Sequence, residues 1–256
     1  MKRNIFLCLE YDGTRYQGWQ RQAAGPTVQA EVERAVAEAV GHRVSVCAAG
    51  RTDAGVHALG QAAHCFVETA LPVRAIFHRA NQSLPDDIVI RRIAEAPMEF
   101  NARRHAVLRH YRYHLLHRPT RPAVNRYTWT HFAAPLDRSL LEQAIALFEG
   151  HHDFAAFRSS ACRAKRTSLT MVRSRLTFDG DRLLFDFACR SFLHHMVRTL
   201  VGTALDVARG RIAVTEVKRL LAGRGDRSQA GRTAPPQGLI LLGVEYAKPY
   251  EQFTTL

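Results

Sequence analysis

An arginine and an aspartate lie two residues apart in a loop that is rich in glycine. Residues 47–61 read CAAGRTDAGVHALGQ, so that Arg51 and Asp53 lie among three glycines. Glycine permits close approach of a ligand to the backbone, and a neighbouring guanidinium favours the ionised form of a carboxylate. The pattern predicts a charged Asp53 that can act as a nucleophile. Asp-Ala-Gly is also typical of a structural turn, so the spacing alone leaves both interpretations open.

A second candidate site is the stretch 100–126, which carries seven arginines with Tyr111 and Tyr113 between them. On a strand the two tyrosines share one face, while Arg112 and His114 lie on the other. Aromatic rings beside arginines suit stacking on an unpaired base and holding its phosphates. The same pattern fits two core tyrosines next to a solvated face of arginines.

The charge of the chain indicates a polyanionic partner. Among 256 residues, 36 Lys and Arg outnumber 23 Asp and Glu, which gives a formal net charge of +13. All but four of the basic residues are arginine, whose planar fork grips phosphate in two places. GC-rich codons would explain the ratio of arginine to lysine but not the net charge. The composition therefore favours nucleic acid as a ligand.

Other classes of chemistry lack their sequence signals. The histidines at 105, 110, 114 and 117 do not place three side chains on one strand face, and no cysteine or carboxylate pattern completes a metal site. Neither glycine-rich phosphate motif occurs, which argues against a nucleotide cofactor. The five scattered cysteines predict a reduced, cytoplasmic protein, and we expect neither a signal peptide nor a membrane span.

Hydrophobic periodicity predicts the order strand, helix, strand, strand, helix, strand twice. The first set comprises residues 5–9, 28–40, 44–48, 61–67, 73–80 and 87–92. The second comprises residues 109–116, 137–150, 170–178, 183–189, 196–205 and 239–246, with a short helix near 215–221. This order predicts an α+β fold with helices covering one side of an antiparallel sheet. We place the boundary between an N-terminal half, 1–100, and a C-terminal half, 101–256.

Several motifs in order along the chain resemble the tRNA pseudouridine synthases of the TruA family. They are EYDGTRYQGWQRQ (10–22), GRTDAGVHALGQ (50–61), HYRY (110–113), HDFAAFR (152–158), FLHHMVRTLVG (192–202) and AGRTAPPQGLIL (230–241). The resemblance implies two tandem ferredoxin-like halves that form a central antiparallel sheet. It also implies an isomerase that converts uridine to pseudouridine at positions 38, 39 and 40 of the tRNA anticodon stem-loop. No cofactor is implied, and the enzyme is expected to be a homodimer.

The resemblance also assigns roles to residues of this sequence. Asp53 matches the catalytic aspartate, and Tyr111 matches the aromatic that stacks on the target base and is proposed to take the C5 proton. Arg51 and Arg198 match basic residues that pair with the aspartate, and Leu239 matches an apolar contact in the pocket. Arg21, Arg103 and Arg104 are further candidates for binding the tRNA.

Two other classes of function compete with this interpretation. A basic RNA-binding or chaperone module on the same fold would bind tRNA in a salt-sensitive manner without modifying it. Such a module would not need Arg51, Asp53, Tyr111 and Arg198 together. A metal-dependent nuclease would need clustered carboxylates, which the sequence lacks.

Overall fold

The computed structural model describes residues 1–256. They form two compact units: unit 1 is Met1–Arg109 with Ile240–Leu256, and unit 2 is His110–Leu239. The chain contains both strands and helices throughout, which confirms the predicted α+β class. None of its helices combines the length and the apolar character that a membrane crossing requires.

The elements occur in the order strand, helix, strand, strand, helix, strand twice along the chain, as predicted. In chain order they are β1 (Lys2–Tyr11), α1 (Val28–Val40), β2 (Val46–Ala48), β3 (His57–Glu68), α2 (Val73–Ser83), β4 (Ile88–Ala96), β5 (Ala106–His117), β6 (Thr130–Phe132), α3 (Arg138–Ala146), β7 (Gly150–Asp153), β8 (Ser168–Asp179), β9 (Arg182–Cys189), α4 (Met196–Ala208), α5 (Val214–Leu221) and β10 (Leu239–Tyr246). The short strands β6 and β7 and the helix α5 are additions to the second repeat. The two compact units are defined by contacts and the predicted halves by repeated elements, so the boundary at residue 100 stays a prediction.

In the sheet of unit 1, one loop leads directly into the start of strand β3. Strand β1 pairs antiparallel with both β3 and β4. The short strand β2 pairs with the second half of β3, with Val46 opposite Cys65. Strand β10 runs parallel to the beginning of β3, with Ile240 opposite His57. The loop 49–56, which contains Asp53, therefore connects β2 to the start of β3.

Strand β3 begins four residues earlier than its sequence pattern predicts. We expected a strand at 61–67, because Gly60 looked like the end of a loop, whereas the strand starts at His57. Gly60 lies inside it, where a Cβ atom would approach the carbonyl oxygens of Thr255 at 2.5 Å and Leu242 at 2.6 Å. Glycine at this position allows two backbone segments to pass close to the strand.

Helix α1 forms for reasons that are local to its sequence. Val28, Val32 and Val36 recur every four residues and are fully buried. The Thr27 hydroxyl accepts a hydrogen bond from the backbone of Ala30, and Gly41 ends the helix in the left-handed conformation at φ 81°. The helix predicted at 28–40 is confirmed.

Strand β1 is buried on both faces, which explains its continuous apolar run. On one face Phe6 belongs to an aromatic cluster with Phe100 and Phe253, whose ring centroids lie 4.6 Å from each other. Ile5 and Leu7, on the other face, are also inaccessible to solvent. Burying such side chains contributes roughly 1.5–3 kcal/mol each, so β1 is a major source of stability in unit 1.

In unit 2 the strand order is β5, β9, β8, β7, and β6 pairs parallel with β5. Strands β8 and β9 form the hairpin predicted from Asp179-Gly180, with Asp179 opposite Arg182. Helix α4 is apolar on almost every side and packs against α3. Its Gly202 makes room for a later segment, since a Cβ atom there would lie 1.6 Å from the carbonyl oxygen of Arg232. The segment 230–234 therefore runs directly against α4.

Candidate active site

Asp53 occupies the first position of a tight turn in unit 1. The backbone N–H of Val56 donates to the carbonyl of Asp53 at 3.1 Å. Gly55, the third residue of the turn, has φ 75°, a conformation that glycine adopts without steric cost. The side chain of Asp53 is half-buried. The turn and the functional interpretation are thus compatible, because the turn fixes the backbone from which the carboxylate extends.

A second segment, residues 12–19, covers this turn. The backbone of Trp19 donates to the carbonyl of Thr52 at 3.0 Å. A Cβ atom on Gly18 would lie 2.6 Å from that same carbonyl oxygen, and one on Gly13 would lie 2.0 Å from the carbonyl oxygen of Val56. Both glycines are required for the approach of the two segments. Both glycines belong to the motif EYDGTRYQGWQRQ (10–22), but nothing in their spacing identified them as packing residues.

Buried hydrogen bonds hold the loop from beneath. The hydroxyls of Tyr11 and Thr52 are 2.9 Å apart, and Gln61 Nε2 donates to the carbonyl of Gly50 at 2.7 Å. Burial raises the pKa of Tyr11 to about 12, so its phenol keeps its proton at neutral pH. Because Thr52 immediately precedes Asp53, this network fixes the backbone from which the carboxylate extends.

The buried side chain of His57 connects the Asp53 loop to the segment 12–19. Its Nδ1 accepts a hydrogen bond from the backbone of Gly13 at 3.1 Å and lies 3.1 Å from a carboxylate oxygen of Asp12. Partial burial of Asp12 opposes its ionisation, but hydrogen bonds from Thr14, together with His57, hold its pKa below the ordinary value. The negative charge of Asp12 is therefore stabilised by Thr14 and His57.

Arg51 is exposed and forms no ion pair in the structure. It lies two residues before Asp53 on the same loop, as the sequence requires. Its pairing with Asp53 stays a prediction.

In unit 2 the two tyrosines of β5 have different surroundings. Tyr113 is fully buried, its hydroxyl lies 2.7 Å from that of Thr130, and it donates to the carbonyl of Pro235 at 2.9 Å. Burial also raises its pKa. Tyr113 is thus a core residue. Tyr111 contacts Phe192 edge to face, with ring centroids 5.1 Å apart. The Tyr111 side chain is itself buried, with 8% of its surface exposed.

Arg198 and Leu239 are both placed by the segment that follows α5. Arg198 lies in the first turn of α4 and donates through Nε to the carbonyl of Ala234 at 2.8 Å. The backbone of Ala234 returns a hydrogen bond to the carbonyl of Arg198. Leu239 is buried at the start of β10, just after Gly238, where a Cβ atom would meet the carbonyl of His114 at 2.7 Å. Arg198 thus has a structural role besides its predicted one.

The three further basic candidates lie in unit 1 in different environments. Arg21 forms an ion pair with the buried Glu33 at 2.7 Å, which engages its charge within the protein. Arg103 and Arg104 are exposed, and their backbone N–H groups donate to the side chain of Asn101 at 3.1 and 2.9 Å. No acidic side chain pairs with either guanidinium, so both are available to an anionic ligand.

Two of the histidines considered as metal ligands have ring contacts. His105 stacks on Tyr250 with ring centroids 4.6 Å apart, and His114 stacks on Trp129 at 4.5 Å. These rings take part in packing within their own units.

The fold and the sequence of this chain define a protein of the tRNA pseudouridine synthase class. The family model described as tRNA pseudouridine synthase matches residues 7–103 and 144–247, and the chain belongs to this family. Relatives of the chain within this family carry a more specific name. Proteins named tRNA pseudouridine synthase A from Geotalea daltonii and Citrifermentans bemidjiense are 43% and 44% identical to it over 95% of this chain, covering 100% and 98% of their own lengths. The corresponding protein of Syntrophotalea carbinolica is 45% identical over 95% of this chain and 96% of its own length. The predicted resemblance and the isomerase class are confirmed.

Proposed function

We propose that this protein converts uridine to pseudouridine in the anticodon stem-loop of tRNA, at positions 38, 39 and 40, with Asp53 as nucleophile and no cofactor. The observation that carries this proposal is the half-buried carboxylate of Asp53 on a turn fixed by Tyr11, Thr52 and the glycines of segment 12–19. A rigid backbone gives one side chain a defined position, which catalysis by proximity requires. The residue assignments rest on the family membership.

The reaction moves the sugar from one atom of the base to another. The bond between C1′ and N1 breaks, the uracil turns, and a bond between C1′ and C5 forms. C5 then loses its proton and N1 gains one, so atoms and electrons balance without an oxidant or reductant. Because the base must leave the helical stack to turn, the target uridine is extruded into the enzyme.

Each remaining site residue has a role in this scheme. Asp53 either attacks C1′ or removes a sugar proton to give a glycal, and both routes use the ionised carboxylate. Arg51 and Arg198 supply positive charge that favours this form. Tyr111 stacks on the uracil and is the group near C5, while Leu239 provides an apolar contact. Arg103 and Arg104 bind tRNA phosphates, and Arg21, which is exposed but pairs with Glu33, adds a further contact.

The homodimer implied by the resemblance and the cytoplasmic location predicted from the cysteines are also proposals. The competing proposal, a basic RNA-binding module without catalysis, agrees with the net charge of +13 equally well. Only the catalytic residues separate the two. The test must therefore measure a chemical product.

The decisive experiment measures tritium release from tRNA labelled at uridine C5, with no added metal or nucleotide. Wild-type protein should release tritium, and Asp53→Asn should abolish release while tRNA affinity stays within a few fold. Asp86→Asn is the matched control, because Asp86 is an exposed carboxylate of unit 1 with no partner. Transcripts with a single uridine at 38, 39 or 40 map the positions. Activity retained in Asp53→Asn would refute the nucleophile, and binding without release by the wild type would support the module.

A further inference from the structure

Unit 2 contains a polar cavity that includes none of the proposed catalytic residues. Its volume is about 480 Å³. The side chains that line it are Ser159, Ser160, His195, Arg227, Arg232 and Thr233, together with residues 228, 230 and 231. We infer that this cavity, the phosphate pocket, binds a backbone phosphate of the RNA substrate. The inference rests on the proposed function for the identity of the RNA.

The backbone of the phosphate pocket is held in place by specific contacts. Gly231 donates through its backbone to the hydroxyl of Thr203 at 2.9 Å, and a Cβ atom on Gly231 would lie 2.5 Å from the Cα of Thr203. At the other end, Asp226 accepts from the backbone and hydroxyl of Ser228, and the Gln229 side chain completes a capping box. The cavity is therefore a formed feature of the segment 226–233.

Arg227 contributes a positive charge that the protein does not neutralise. Its guanidinium donates to the carbonyl of Gly231 and to the hydroxyl of Thr233, both at 2.9 Å, and to no carboxylate. Partial burial lowers its pKa, which reflects the cost of holding the charge away from water. An anion bound in the phosphate pocket would offset that cost, since a partly buried charge is stabilised by a partner of opposite sign.

The other groups around the pocket also favour an anion. Arg232 is exposed and forms no ion pair. No acidic residue lines the cavity, and two carboxylates on neighbouring segments are engaged, since Asp226 accepts from Ser228 and Asp206 pairs with Arg211. The segment 158–166, which includes the lining residues Ser159 and Ser160, contains four basic residues and no acidic one: Arg158, Arg163, Lys165 and Arg166.

The lining distinguishes a backbone phosphate from a whole nucleotide. A bound base is normally stacked on an aromatic ring or on a guanidinium. No Phe, Tyr or Trp lines the cavity, the His195 ring packs against His194 with ring centroids 4.0 Å apart, and the Arg227 guanidinium is held by the loop itself. The hydroxyl of Ser160 is a further donor at the rim, in keeping with the side chains that usually contact phosphate oxygens. The chemistry thus fits the charged backbone rather than the bases.

The test compares the salt dependence of tRNA affinity in the wild type and in Arg232→Gln. Removing one phosphate contact makes the plot of log affinity against log salt shallower by about 0.9, so affinity falls about 3.5-fold less between 50 and 200 mM salt. Ser160→Asp should weaken binding further, because it adds a negative charge at the rim. Arg224→Gln is the matched control: Arg224 is exposed just before the segment 226–233 and does not line the cavity.

An unchanged salt slope in Arg232→Gln, or an equal change in Arg224→Gln, would overturn the phosphate pocket. Arg227→Gln is tested beside them with its melting temperature, because it also removes bonds within the loop. The measurement needs binding and not turnover. If the wild type binds tRNA with the expected slopes but releases no tritium, the proposed function fails while the phosphate pocket stands.

Discussion

The hydroxyl of Tyr11, at the end of β1, lies 2.9 Å from the hydroxyl of Thr52, the residue before Asp53. Both side chains are buried. A residue of the central sheet thus holds the backbone of the proposed nucleophile. The same hydroxyl accepts a longer contact of 3.4 Å from Gln61.

We expect Tyr11→Phe to reduce tritium release more than its effect on stability would explain. The change removes one buried hydrogen bond, which contributes about 1 kcal/mol to the free energy of unfolding. It also leaves the Thr52 hydroxyl without this partner, so that the Asp53 turn becomes less well fixed. Tyr127→Phe is the control, because Tyr127 is an exposed tyrosine of unit 2. Tritium release measures the activity of both variants, and urea unfolding curves measure their stability. Equal activity in Tyr11→Phe and Tyr127→Phe would contradict this role of Tyr11.

Gly18→Ala should displace the Asp53 loop. The backbone at Gly18 has φ 89°, and the new Cβ atom would lie 2.6 Å from the carbonyl oxygen of Thr52. Gly41→Ala separates the two effects, because Gly41 has φ 81° with nothing within 4 Å of its Cβ position. The control should lose only the cost of the left-handed conformation, about 1–2 kcal/mol. Gly18→Ala should lose more stability and most of its activity, as measured by thermal unfolding and tritium release. If the two variants behave alike, the close approach at Thr52 is unimportant.

Replacing Arg103 and Arg104 by Gln should weaken tRNA binding more at low salt than at high salt. Both guanidinium groups are exposed and free of acidic partners. If each contacts one phosphate, the double variant lowers the salt slope by about 1.8. Arg79→Gln, a change at an exposed arginine of α2, should leave the slope as it is. A wild-type slope in the double variant would exclude a phosphate role for these arginines.

His64 should make the stability of unit 1 fall at acidic pH. Burial lowers the pKa of His64, more than its hydrogen bond with the backbone of Cys47 raises it. Its Nδ1 accepts from the backbone of Ala102 at 3.2 Å, which requires an unprotonated nitrogen. Below pH of about 6.5 the unfolded chain binds a proton that the folded chain resists, so the free energy of unfolding decreases as the pH falls.

Urea unfolding between pH 7.5 and 5.5 tests the role of His64. His64→Gln removes the titrating group, and its stability should therefore depend less steeply on pH than that of the wild type. His78→Gln is the control, because His78 is exposed on α2. If the free energy of unfolding of His64→Gln depends on pH as steeply as that of the wild type, other groups cause the loss of stability at acidic pH.

Local sequence determined the elements whose causes are local. The four-residue spacing of valines, with Thr27 and Gly41 at its ends, is sufficient to specify α1. The apolar run at 5–9 specifies a strand buried on both faces, and Asp179-Gly180 specifies a hairpin. These features depend on neighbours within a few residues, where helical and extended periodicities are visible directly. The motif GRTDAGVHA likewise identified the family, although the roles of its residues stay predictions.

Only the tertiary structure decided which distant segments meet. The start of β3 was predicted wrongly because Gly60 accommodates Leu242 and Thr255, which lie more than 180 residues later. The packing roles of Gly18 and Gly202 were invisible for the same reason, since each glycine is required by a carbonyl of another segment. The phosphate pocket depends on Gly202 and on bonds made by residues 226–233, so no local pattern could reveal it. Steric fit between remote backbones leaves no periodic signal in a single sequence.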